Sequence, residues 1–101
     1  MAYPSILLER KAEIASICRR YQVAELAVFG SAARGDLRND SDVDFLVEFA
    51  PGARIGLLAL GELQEALEAV LHRKVDLVSK HGLKPFIRER VLQQAEPVYA
   101  G

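Results

Sequence analysis

The chain has 101 residues, half of them apolar, and a net charge of −1. One small domain over residues 1–101 fits that length, and the near-neutral balance excludes the electrostatic footprint of a general DNA or RNA binder. A single cysteine, Cys18, excludes an internal disulfide and suits a reducing cytoplasm, and no apolar run reaches the roughly 20 residues a membrane helix needs.

Taken in order, the opening segment MAYPSILLERK carries a charge pair inside its apolar stretch, so a secretory signal is not expected. Ser5 is placed to cap a helix on which Ile6, Ile14, Ile17, Cys18 and Tyr21 form one stripe. ELAVF, Glu25 to Phe29, reads as a short buried strand ended by Gly30. VDFLVEF, Val43 to Phe49, alternates, which sends Asp42, Asp44, Leu46 and Glu48 to one face, and Pro51-Gly52 closes it. Leu57, Leu60, Leu63, Leu67, Val70 and Leu71 supply the apolar face of a second helix, with Gly61 inside it at about 1 kcal/mol. KVDLVS, Lys74 to Ser79, is a third strand. Pro85 suits the first turn of a last helix through Ile87, Val91 and Leu92, and PVYA offers a short edge strand. This order predicts an α/β (α+β) domain, a small mixed sheet of three to four strands with helices packed on one face.

The segment FGSAARGDLRNDSDVD, Phe29 to Asp44, is unlike the rest. Asp42 and Asp44 are two apart on a strand, so they project side by side, and two carboxylates that close repel unless a cation or proton lies between them. Hard oxygen ligands at this spacing suit Mg²⁺. The competing account is an Asp-rich turn in which Asn39, Asp40 and Ser41 shape the loop and Asp42 caps an amide. Gly30-Ser31, directly after a strand and before AAR, presents backbone N–H groups where an anion can approach. Ser31 adds a hydroxyl, Gly30 allows close approach, and Arg34 brings a charged fork to the same phosphates. A plain strand-to-loop turn with a solvated Arg34 is the alternative. The segment is neither a Walker loop nor a dinucleotide fingerprint, because the lysine and the glycine spacing are wrong. Asp76 lies mid-strand between Val75 and Leu77, where a charge must be paired, exposed on the open face, or joined to Asp42 and Asp44. In the last case it can ligate a second metal or take a proton from an attacking hydroxyl.

FGSAARGDLRNDSDVDFLV resembles the Gly-Ser, ten residues, Asp-x-Asp signature of nucleotidyltransferases of the DNA polymerase β superfamily. RKVDLVS, Arg73 to Ser79, is similar to the strand carrying that family's third carboxylate, and LKPFIRERVLQQAEPVYA to the tail of its minimal members. The resemblance covers nearly the whole chain, less clearly residues 1–22. It implies a polymerase β-like palm and transfer of AMP from ATP with two Mg²⁺ ions. It places Gly30 and Ser31 at the β- and γ-phosphates, Asp42 and Asp44 as metal ligands, and Asp76 as ligand of the second metal and general base. Minimal members resemble antitoxins paired with HEPN-domain toxins, which implies a tyrosine of the toxin as acceptor. A short chain with no second lobe to enclose a small acceptor agrees with a protein acceptor. The alternatives are an antitoxin that acts by steric masking, and a subunit of a small-molecule nucleotidyltransferase; the choice between Mg²⁺ and Mn²⁺ stays open in the enzymatic readings. His72, His81 and Cys18 are read as ordinary helix-end, loop and core residues, Glu48 as too far along its strand to reach a metal, and Tyr99 as edge-strand packing.

Overall fold

The computed structural model describes residues 5–30, 33 and 42–101. Two short helices, α1 (Ser5–Glu9) and α2 (Lys11–Arg20), lead into β1 (Val23–Phe29). Next come β2 (Val43–Phe49), α3 (Leu57–Leu71), β3 (Val75–Ser79), a 3-10 turn (Lys80–Gly82), α4 (Pro85–Gln94) and β4 (Glu96–Ala100). The four strands make one sheet in the order β3-β2-β1-β4. β1 pairs antiparallel with both β2 and β4, whereas β2 and β3 run parallel, so the sheet is mixed, as expected.

Alternation sets the core. Val43, Phe45 and Val47 of β2 and Leu26 and Val28 of β1 are buried together with Ile14, Ile17 and Cys18 of α2 and Leu63, Leu67 and Leu71 of α3. Helix α2 packs against β1, β4 and α3, and α3 packs against β3. Ala33, between β1 and β2, also belongs to this core. Burial pushes the Cys18 thiol up to about 12, which leaves it an inert apolar side chain. Among the described residues, no helix is long and apolar enough to cross a membrane.

Several local expectations are corrected. The first helix is two helices: Arg10 leaves helical geometry at φ −103° and ψ 16°, although its N–H still donates to the Ile6 carbonyl at 3.0 Å. Ser5 opens α1 as its first residue. Leu7, seven residues before Ile14 and therefore on the same side, is the fully buried residue of α1, while Ile6 only flanks the core. β1 begins two residues early, at Val23, because Val23 pairs with Phe49 across the sheet. Leu57 is 88% exposed, so the first turn of α3 lies off the core that Leu63, Leu67 and Leu71 enter. Helix α4 buries no residue at all, and Phe86, Ile87 and Leu92 face outward.

Candidate active site

The pleat that buries Phe45 turns its neighbour Asp44 to the opposite face of the sheet, where it is half-buried. Antiparallel register sets Asp44 opposite Phe29, the last residue of β1. Parallel register sets it opposite Asp76 of β3. Adjacent strands lie about 4.8 Å apart, so Asp44 and Asp76 are immediate neighbours on one face. Asp42 enters just ahead of β2 and is exposed, as is Asp76. All three carboxylates therefore stand at the edge of the sheet where β2 and β3 begin and β1 ends.

Gly30 completes this corner. Its φ of +69° lies in the left-handed region, and a Cβ built on it would sit 2.7 Å from Asp44 Oδ2. The sequence offers one reason for glycine here, phosphate access; the structure adds another, because the Asp44 carboxylate occupies the space a side chain would need.

Electrostatics join the carboxylates into one group. Burial raises the Asp44 pKa, and the charges of Asp76 and then Asp42 raise it further. A carboxylate held ionised there is unfavourable until positive charge arrives. Three hard oxygen donors around a half-buried, mutually repelling centre fit Mg²⁺ or Mn²⁺ by the chemistry of the donor set. Among the described residues, no group of three or more histidine, cysteine or acidic side chains is placed to hold a metal ion by itself. Mg²⁺ ordinarily takes only one or two carboxylates and fills its remaining positions with water and substrate phosphates, so any such site here would need the nucleotide to complete it.

Of the sequence-predicted residues, the structure brings together Asp42, Asp44, Asp76 and Gly30; Ser31 and Arg34 lie outside the described residues. Glu48 shares the face of Asp44 but sits four residues along the strand, where it meets Lys80 Nζ at 3.5 Å and His81 Nε2 at 3.7 Å. His72 is the exposed left-handed cap of α3, with φ 55°. Tyr99 packs against the core from the edge strand. One residue escaped the sequence reading: Glu68 of α3, whose Oε2 accepts the Val75 backbone N–H at 2.9 Å, one residue before Asp76. No local pattern marks it, since it is one of several acidic residues on an amphipathic helix.

Residues 11–97 match the nucleotidyltransferase domain family. Protein adenylyltransferase MntA of Thermococcus cleftensis is 46% identical over 90 residues, which span 89% of this chain and 86% of that protein. A solved structure described as a minimal nucleotidyltransferase superposes with a TM-score of 0.79 at 45% identity, covering 90% of this chain and 91% of the other. A complex from Shewanella oneidensis, a tri-AMPylated HEPN toxin with an MNT antitoxin, contains a chain of the same fold. That chain has a TM-score of 0.68 and 21% identity, over 94% of this chain and 73% of its own length. By family match, identity and fold together, the chain belongs to the nucleotidyltransferase domain family and is an enzyme of the minimal nucleotidyltransferase type.

Proposed function

We propose that this protein transfers AMP from ATP to a hydroxyl, a tyrosine side chain, of a HEPN-domain partner, and that it acts in the cytoplasm as the partner's antitoxin. The observation that carries the site is the register: Asp44 lies between Asp76 and the glycine corner that its own carboxylate fills. Support for a protein acceptor and a HEPN partner comes from what the similar proteins are, a protein adenylyltransferase and an MNT antitoxin bound to an AMPylated toxin.

In this reading, Gly30 and Ser31 receive the β- and γ-phosphates and Arg34 braces them. Asp42, Asp44 and Asp76 would hold two Mg²⁺ ions, which supply positive charge to offset the phosphates and to ease ionisation of the acceptor. A free tyrosine hydroxyl has a pKa near 10, so it needs help to ionise at neutral pH. Asp76, the most accessible of the paired carboxylates, takes that proton. The tyrosine oxygen then bonds to the α-phosphorus, the bond from the α-phosphorus to the bridging oxygen breaks, and pyrophosphate leaves along the Gly30 side. Asp44 orients the corner and Asp42 closes it from the loop.

Intact mass of the HEPN partner, co-expressed with this protein, tests the proposal. One or more gains matching AMP, lost with Asp44→Asn, are expected. Neutralisation of the partner with no mass change would overturn it in favour of masking.

A further inference from the structure

We propose that Glu68 is a positioning residue: by accepting the Val75 N–H, it sets where β3 begins and so holds Asp76 in register with Asp44. The inference rests on Asp76 belonging to the site, and it assigns a role to a helix residue that touches no substrate. Glu68 closes the turn between α3 and β3 twice. Its backbone carbonyl accepts the His72 N–H at 2.8 Å, and its carboxylate accepts the Val75 N–H at 2.9 Å. On the other side, the Lys74 carbonyl accepts the Val43 N–H at 2.9 Å.

The Val75 and Val43 bonds hold the chain within two residues of the paired aspartates. Val43 and Val75 are register partners, and Asp44 and Asp76 are the next pair along. Because the Lys74 carbonyl points at β2, alternation turns the Val75 N–H to the outer edge. β3 is the edge strand of the sheet, so no further strand meets that N–H. The Glu68 carboxylate stands where a neighbouring strand would be. Lys74 and Val75 are thereby clamped between β2 and α3, and Asp76 is the first residue beyond the clamp. A short edge strand of five residues, Val75–Ser79, has few bonds with which to resist a slip. A slip by one residue would turn Asp76 to the core face and remove it from beside Asp44.

What Glu68 needs for this role is an acceptor at the right reach, not a charge. Glu68→Gln keeps the carbonyl oxygen, Glu68→Ala removes it, and Glu68→Asp withdraws it by one methylene. Two measurements follow: the Mn²⁺ concentration for half-maximal AMP transfer, and, in nucleotide-free protein, Mn²⁺-induced broadening of the Asp76 and Asp44 amide resonances. Glu68→Ala and Glu68→Asp are expected to raise the Mn²⁺ requirement about tenfold, the scale typical of outer-shell partners of metal ligands. They should raise the Mn²⁺ concentration at which the Asp44 and Asp76 amides broaden, and Glu68→Gln should stay within about twofold of wild type on both readouts. Leu67→Ala, beside it in the core, should lower Tm and leave the Mn²⁺ dependence unchanged. If Glu68→Ala fails to fold, Glu68→Asp against Glu68→Gln decides. An equal loss in Glu68→Gln would overturn positioning in favour of a charge effect, and wild-type behaviour in the Asp variant would overturn the role outright. Asp76→Asn separates the two levels: full activity there removes Asp76 from the site, whereas an inactive Asp76→Asn beside an unaffected Glu68→Asp removes only the role of Glu68.

Discussion

Asp44 and Phe45 are adjacent in the chain and opposite in purpose. Phe45 is among the largest fully buried side chains and shares the core cluster with residues of α2 and α3. Asp44 points the other way, toward Asp76 and Gly30. One strand thus serves as core wall on one face and, in the proposed function, as reaction floor on the other. The difference teaches that stability and chemistry are separable here at single-residue resolution, because a period of two divides them. Substitutions on the core face should change folding and spare the site, and those on the open face should do the reverse.

The largest effect that could break this comparison is at Phe45. Phe45→Ala is expected to lower stability by about 3–5 kcal/mol, read by urea denaturation, with whatever fraction stays folded transferring AMP normally. Asp44→Asn should reduce transfer by more than about a hundredfold, the scale of losing a preorganised electrostatic partner, while the protein melts no lower than wild type. The sign follows from its raised pKa. A carboxyl harder to ionise when folded than when unfolded favours the folded state at low pH, and that stability is lost as pH rises through the folded value. Wild type and Asp44→Asn should therefore converge in Tm below the ordinary aspartate range and diverge at neutral pH, with the variant higher by on the order of a few degrees. A variant that melts lower at pH 7 would show that Asp44 is structurally required.

Gly30→Ala combines both faces of the argument. Its left-handed φ costs an alanine about 1–3 kcal/mol, and the new methyl displaces the Asp44 carboxylate, so activity should fall further than the stability loss accounts for. Smallest is Phe86→Ser on α4. With Phe86 76% exposed, stability should move by no more than about 0.5 kcal/mol, whereas Leu67→Ala on α3 should lose about 2–5 kcal/mol. A large destabilisation from Phe86→Ser would show that α4 is anchored after all.

That last pair marks how far periodicity carries. Apolar residues recur at helical spacing in both α3 and α4, yet Leu63, Leu67 and Leu71 are buried and nothing in α4 is. Hydrophobic spacing says which side of a helix is apolar, and says nothing of whether another surface reaches it. Leu57 makes the same point within one helix, because the stripe continues past the end of the core. The break at Arg10 was equally invisible, since Leu7, Ile14 and Cys18 keep one spacing across it.

By itself, the sequence determined the strand and helix order, the alternation that gives β2 its two faces, and the chemical identity of Asp42, Asp44, Asp76 and Gly30, because these depend on residue type and on separations of a few residues. Only the tertiary structure decided that β3 lies parallel beside β2 with Asp76 opposite Asp44, that the Asp44 carboxylate fills the place of a Gly30 side chain, and that Glu68 reaches across to the Val75 N–H. Those are contacts between different elements, separated by as few as seven residues for Glu68 and Val75 and by 32 for Asp44 and Asp76. They arise from the pairing of β1, β2 and β3 and from the packing of α3 against β3, and no local pattern encodes where such elements meet.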